Sequence, residues 1–117
     1  GRETHEDMVK HIFTKNPFSH PTVMARNIFY KAMNGYDGRL RRAQDYDLWL
    51  RGYTQFRYYN LQEPLIYYLR DTRANCRNAV YSSRAILRAI AREGKPPFYV
   101  WYAMRPLIAT FLGKIGF

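Results

Sequence analysis

Apolar residues recur in three rhythms along this chain, and each rhythm predicts a different element. Met8, Ile12 and Phe13 stand at helical spacing behind Thr4-His5-Glu6-Asp7, where Thr4 is placed to cap and Asp7 follows three positions later. The pattern predicts a helix over about residues 5–15, ended by Asn16-Pro17 because a proline disfavours a helical residue before it. Ser19-His20-Pro21-Thr22-Val23-Met24 is short and partly β-branched and reads as a strand, after which Asn27 opens a helix through Phe29, Ala32 and Met33 that Gly35 closes. A further helix starts at Asp45, carries Leu48, Trp49 and Leu50, and runs to about Arg51 before Gly52. Two aromatic runs, 56–61 and 65–69, parted by Glu63-Pro64, read as strands. Two short strands cannot hold a sheet alone, so part of this apolar surface is expected to need a partner.

The rhythm returns to helical from Asn75 to Glu93, closed by Gly94 and Pro96-Pro97. At 100° per residue, Arg73, Arg77, Arg84, Arg88 and Arg92 share one arc of about 100°, with Ile86 and Ile90 opposite and Val80 and Leu87 read with them as the apolar side. That arc is either a solvated face or a surface for acidic lipid. The tail, Phe98 to Phe117, holds Trp101, Met104, Leu107, Ile108, Phe111 and Leu112, with Arg105 and Lys114 its only charges. Arg105-Pro106 in its middle and aromatics at one end suit a helix lying on a membrane better than one crossing it, with ordinary core packing as the alternative.

Charge sharpens that division. The chain has 117 residues and a net charge of +10. Residues 1–72 carry +3 and residues 73–117 carry +7, with Glu93 the only acid in the second part. Such asymmetry points residues 73–117 towards an anionic partner. Nucleic acid is disfavoured, because the tyrosines are not interleaved with the arginine arc and no nucleic-acid motif is present. A basic, aromatic-rich binding module without catalysis is the alternative to an enzyme. The single cysteine, Cys76, excludes an internal disulfide and a thiolate-rich zinc site, and is read as a small buried or half-buried residue. His5, His11 and His20 lie six and nine apart, which is no metal-ligand pattern. Residues 1–15 are too polar for a signal peptide, and Gly1 suggests a trimmed terminus.

The densest chemistry lies at Arg41-Arg42-Ala43-Gln44-Asp45-Tyr46-Asp47-Leu48-Trp49, where two of the nine acidic residues fall within three positions. On a helix their side chains diverge by about 200°, so Asp45 and Asp47 cannot readily chelate one ion.

Four ordered blocks carry a resemblance: Asn16-Pro17-Phe18-Ser19-His20-Pro21-Thr22-Val23-Met24-Ala25-Arg26; Gly35-Tyr36-Asp37; Ala43-Gln44-Asp45-Tyr46-Asp47-Leu48-Trp49-Leu50-Arg51; and Asn60-Leu61-Gln62-Glu63-Pro64-Leu65-Ile66-Tyr67-Tyr68. Over about residues 10–70 the chain resembles family 2 glycosyltransferases of the bacterial surface-polysaccharide type. The resemblance implies an α/β, GT-A fragment, mostly helical, with a few short strands from the acceptor-side half of the sheet and amphipathic C-terminal helices. It divides the chain into an acceptor-side half-domain over 1–72 and a membrane-associated pair of helices over 73–117. Asp45 aligns with the family's catalytic base. Inverting transfer requires one carboxylate to take the acceptor hydroxyl's proton, and an aspartate with an ordinary value of about 3.9 is ionised for that role at neutral pH.

Gln44 replaces the glutamate more usual before that base. The resemblance makes His20, Arg26, Gln44, Arg42 and Asp47 acceptor-side or donor-side candidates, Asp47 more as a loop anchor than a catalyst. Arg77, Arg84, Arg88, Arg92, Trp101 and Arg105 are the candidates for facing a membrane. The whole enzyme is expected to use a nucleotide-sugar, a saccharide or lipid-linked acceptor and a divalent metal, Mg or Mn. The family often places a histidine past Tyr68, where Leu69-Arg70-Asp71 stands here, so this chain is expected to hold no metal. Without its donor half it is expected to be inactive, to sit on the cytoplasmic face of the cell membrane, and to be prone to self-association through the uncovered half-domain surface.

Overall fold

The computed structural model describes residues 3–67, 69 and 76–115, with side chains through residue 113. Five α-helices follow in order: α1, His5–His11; α2, Asn27–Ala32; α3, Gln44–Gly52; α4, Cys76–Glu93; and α5, Val100–Ile115. Short 3₁₀ turns occupy His20–Thr22 and Pro97–Tyr99.

The caps explain the first boundaries. Thr4 accepts a hydrogen bond from the Asp7 amide at 3.4 Å, and beyond His11 the chain tightens into turns as Thr14 and Lys15 bond back to the His11 carbonyl. Before α2 the cap position is Arg26 rather than Asn27 and makes no side-chain capping bond, so the helix gets its stability from Phe29, which is buried. Its exit needs positive φ at both Asn34 and Gly35, a region Gly enters freely and Asn more readily than most residues.

Around α3 the core closes. Tyr46 through Leu50 are all buried, a run without a solvent face, because α1, α2, α4 and the 53–58 segment surround the helix. Trp49 stacks on Phe29 at 5.7 Å between centroids and meets Phe18 and Tyr58 edge-on, geometries that favour aromatic pairs. Gly52 is the one residue that fits where α3 ends: a Cβ there would strike the Phe29 ring and come within 2.8 Å of the Tyr58 hydroxyl. Ala85, Ile86, Ala89 and Ile90 of α4 and Ala103 of α5 join the same core. The packing therefore crosses the 72/73 boundary that charge suggests. Two buried polar atoms, Trp49 Nε1 and Ser83 Oγ, have no hydrogen-bond partner among the described residues, a cost of about 1–3 kcal/mol each.

At the three places where strands are expected, the described residues take other conformations. No described residue is in a strand. At 19–24 the chain makes a 3₁₀ turn instead, with Pro21 at its start and Thr22 bonding back to Ser19, and Met24 points away at 98% exposure. Residues 56–61 do alternate, Tyr58 inward and Tyr59 outward, yet their neighbour is the start of α1: the Tyr58 amide bonds to His5 Nδ1 at 3.2 Å and the Asn60 amide to the Glu3 carbonyl at 3.0 Å. Leu65, Ile66, Tyr67 and Leu69 are exposed, and residue 68 lies outside the described residues. A strand needs a neighbouring strand, and no described segment here supplies one.

On α5 the apolar stripe faces outward. Its inward side is Ala103, with Tyr102, Pro106 and Thr110 half-buried, whereas Trp101, Met104, Phe111 and Leu112 are exposed. Val80 and Leu87 of α4, expected on the apolar side, are likewise exposed, and Ala79, Ser83, Ala85, Ile86, Ala89 and Ile90 make the packed side instead. Val80 and Leu87 project beside the arginine arc rather than opposite it, which leaves them in solvent. No helix of the described residues is long and apolar enough to cross a membrane. Cys76, read as buried or half-buried, is exposed at the first turn of α4.

Three tyrosines make a testable link between packing and pH. Tyr46 donates to the Ile12 carbonyl, Tyr53 to Glu93 and Tyr58 to the Trp49 carbonyl, and burial pushes all three phenols above the ordinary tyrosine value. In the unfolded chain they ionise near pH 10, earlier than in the fold, so the unfolded state binds fewer protons above that pH. Their stabilisation is full below about pH 10 and is lost as pH rises through the folded values. Urea midpoints should hold steady from pH 8 to about 9.5 and fall steeply towards pH 11; a flat profile to pH 11 would contradict this.

Candidate functional site

Asp45 occupies the second position of α3, and what precedes it is strained. Ala43, at the cap, has φ 56° and ψ 25°, a left-handed conformation that costs a non-glycine residue about 1–2 kcal/mol. It offers no side-chain cap, and Asp45 makes no capping bond either. The Asp45 carboxylate instead accepts a hydrogen bond from Asn16 Nδ2 at 2.8 Å, across 29 positions of sequence. Asn16 is fixed in turn, because its Oδ1 accepts the Phe18 amide at 3.2 Å. The half-buried aspartate is thus pointed towards the 16–20 segment by an amide held at both ends.

An aromatic group gathers beside it. His20 meets Tyr36 edge-on at 5.7 Å, and Tyr36 meets Tyr30 at 5.9 Å. Partial burial, the Tyr30 hydroxyl and the negative charge of Asp45 together push the Tyr36 phenol up to about 12, so it remains a proton donor throughout the neutral range. Asp45 is thus bonded to Asn16 and acts on Tyr36 through its charge, and Tyr36 in turn meets His20.

Asp47 points elsewhere. It is buried and pairs with Arg51 Nε at 2.9 Å, while the other guanidinium nitrogens of Arg51 donate to the carbonyls of Met33 and Gly35, the latter at 2.8 Å. This pair therefore anchors the link from α2 into Tyr36-Asp37. Asp37 is held by Arg39, through two side-chain bonds and the Arg39 amide, and by Arg88 of α4 at 3.0 Å. The Arg39 contacts, and then Arg88, keep its carboxyl well below the usual range.

The remaining expected residues spread over the surface. Gln44 is half-buried at the first position of α3, and Arg26 is exposed at the start of α2. Arg42 reaches Asn78 of α4 at 2.8 Å. Among the residues expected to face a membrane, Arg88 turns inward to Asp37 and Arg92 donates to the Leu50 carbonyl, because α4 packs its α3-facing side against the core. Arg77, Arg84, Trp101 and Arg105 are exposed, and Arg73 lies outside the described residues. Among the described residues no three of His, Cys, Asp and Glu come together to hold a metal ion, and Asp45 and Asp47 are committed to different partners.

Asn16 and Tyr36 were not among the candidate residues, although both lie within the resembling blocks. Their block membership was the available signal. An asparagine before proline otherwise reads as a helix stop, and a tyrosine after glycine as packing.

No family model matches this sequence. No solved structure matches it either. Over 103 residues it is 41% identical to a protein of Bacillus subtilis (strain 168) named "Putative glycosyltransferase EpsE", in an alignment that takes in 82% of this chain and 37% of that protein. The chain spans little more than a third of that relative's length.

Proposed function

We propose that this chain is the acceptor-side portion of an inverting, GT-A type glycosyltransferase, moving a sugar from a nucleotide-sugar to a saccharide or lipid-linked acceptor with Asp45 as general base. The observation that carries this reading is the Asn16–Asp45 bond. It ties two of the four resembling blocks into one site, and leaves the carboxylate's other oxygen for an acceptor hydroxyl. The neutral Tyr36 phenol beside it can donate to the same acceptor. We assign residues 1–72 to that catalytic half. The divalent ion expected of such a reaction, Mg or Mn, has no ligand set among the described residues, and we place it with the donor half.

The test is a sugar-transfer assay with a nucleotide-sugar donor. The isolated chain should give no turnover and the full-length protein containing it should be active; transfer by the chain alone would overturn the division of labour.

Residues 73–117 complete the proposal as a surface lying on the inner face of the cell membrane, on the strength of the outward apolar stripe of α5 with Arg105 at its edge and Arg84 exposed on α4. The chain should bind vesicles containing anionic lipid at low salt. Trp101→Ala with Phe111→Ala should weaken that binding by roughly tenfold or more, since burying one such side chain is worth about 1.5–3 kcal/mol. Equal binding by the double variant would count against lipid contact through α5.

A further inference from the structure

Between the 33–39 segment and α4 runs a furrow that the chemistry proposed for Asp45 does not use. Its wider part, about 540 Å³, is walled by Tyr36, Asp37, Arg39, Arg51, Arg88 and Arg92, among others. A narrower part of about 350 Å³ continues past Arg51 and Arg92 to Thr54 and Gln55. Four guanidinium groups face two carboxylates in the wider part, and Glu93, which lines the narrower part and pairs with Arg92 at 3.4 Å, is a third, so the furrow as a whole carries an excess of one positive charge and its carboxylates are already committed. Asp47 is spent on Arg51, and Asp37 on Arg39 and Arg88. The arginines are not exhausted in the same way. Among the described residues, Arg39 bonds Asp37 through Nε and Nη2, Arg88 bonds it through Nη1 alone, and Arg92 uses Nη2 on the Leu50 carbonyl and on Glu93, while a guanidinium carries five N–H donors.

We propose that this furrow binds a phosphate group carried by the acceptor substrate, with Arg39, Arg88 and Arg92 as its donors. The guanidinium fork matches a tetrahedral oxyanion with paired N–H groups, and an anionic phosphate offsets the local positive excess. The Asp37 carboxylate sets the arginines in place before the ligand arrives, so little side-chain freedom is lost on binding. The acceptor assignment rests on the proposed role of Asp45. Tyr36 belongs both to the furrow wall and to the aromatic group beside Asp45, so a molecule offering its hydroxyl there has the furrow next to it. A nucleotide is disfavoured, because among the described residues Tyr36 is the only aromatic side chain lining the furrow and its ring already meets His20 and Tyr30.

Titration of the chain with inorganic pyrophosphate at low salt, followed by calorimetry, tests the site without any sugar transfer. Saturable binding is expected, weakened about fivefold in Arg39→Gln, whose side chain is 82% exposed and dispensable for packing. A larger loss is expected in Arg88→Gln, with circular dichroism confirming its fold, and no change in Arg105→Gln on the far helix. Absent saturation, or an equal loss in Arg105→Gln, would overturn the proposal, as would uridine diphosphate binding far more tightly than pyrophosphate through the same arginines. Asp45→Asn should bind pyrophosphate like the parent chain. Pyrophosphate binding without transfer in the full-length protein would fail the Asp45 reading alone, and transfer without pyrophosphate binding would fail the furrow alone.

Discussion

Asp45→Asn in the full-length protein should lower sugar transfer by roughly a hundredfold to ten-thousandfold, the usual contribution of a positioned general base. The substitution is nearly isosteric. An asparagine oxygen at position 45 can still accept the Asn16 Nδ2 bond, so the start of α3 and the unfolding midpoint should hardly change. What is lost is the ability to take a proton. Asn16→Ala is the companion experiment: it leaves the carboxylate but frees its direction, and should give an intermediate loss of roughly tenfold, because misplacing a reacting group weakens transfer without abolishing it. Steady-state kinetics on both variants, with melting curves as a control, decide the matter. An Asp45→Asn enzyme with parental kcat would remove the base assignment, whatever the fate of the fold.

The helices were largely legible in the sequence because their signals are local. Thr4 with Asp7, Asn16-Pro17, Gly35 and Gly94 mark ends by capping or by backbone freedom, and the structure ends or opens helices within a few residues of each. The apparent strands were not legible, because β-branched and aromatic runs record half-burial rather than a ladder. Tyr58 is buried by α3 and the start of α1 and needs no strand beside it. On α4 a helical projection places Val80 and Leu87 beside the arginine arc, and the face that meets the core, with Ala79, Ala85, Ile86, Ala89 and Ile90, lies opposite that arc; on α5 Ala103 meets the core and Trp101 is exposed.

The candidate site was half legible. Asp45 and Asp47 stood out as acids in a basic stretch, and their divergence followed from helix geometry alone. Their partners did not follow, since Asn16 is 29 residues from Asp45 and Arg88 is 51 from Asp37. Such pairs depend on the tertiary path. Arg88 and Arg92 illustrate the point: one arc of five arginines looks like one surface, yet the core divides it, drawing two inward to the 37 loop and to Leu50.

Arg51→Ala should destabilise the chain by about 3–5 kcal/mol, a large share of the roughly 5–15 kcal/mol available to a domain of this size. The figure is not the strength of the ion pair itself. The Asp47 side chain is 5% exposed and Arg51 21%, so removing the guanidinium strands a buried carboxylate and leaves the Met33 and Gly35 carbonyls without their donor. Replacing both partners tells the two contributions apart. Asp47→Leu with Arg51→Met removes the stranded charge and keeps the volume, and should recover most of the lost stability in urea unfolding. It should not recover function. The double variant still lacks the bonds that hold residues 33–35, and with them the position of Tyr36 beside Asp45 and of Asp37 against Arg88. Parental stability with reduced transfer and weakened pyrophosphate binding is therefore the expected result. An Arg51→Ala chain that loses less than about 1 kcal/mol would show that the pair is solvated rather than buried, and the loop it holds would then need another anchor.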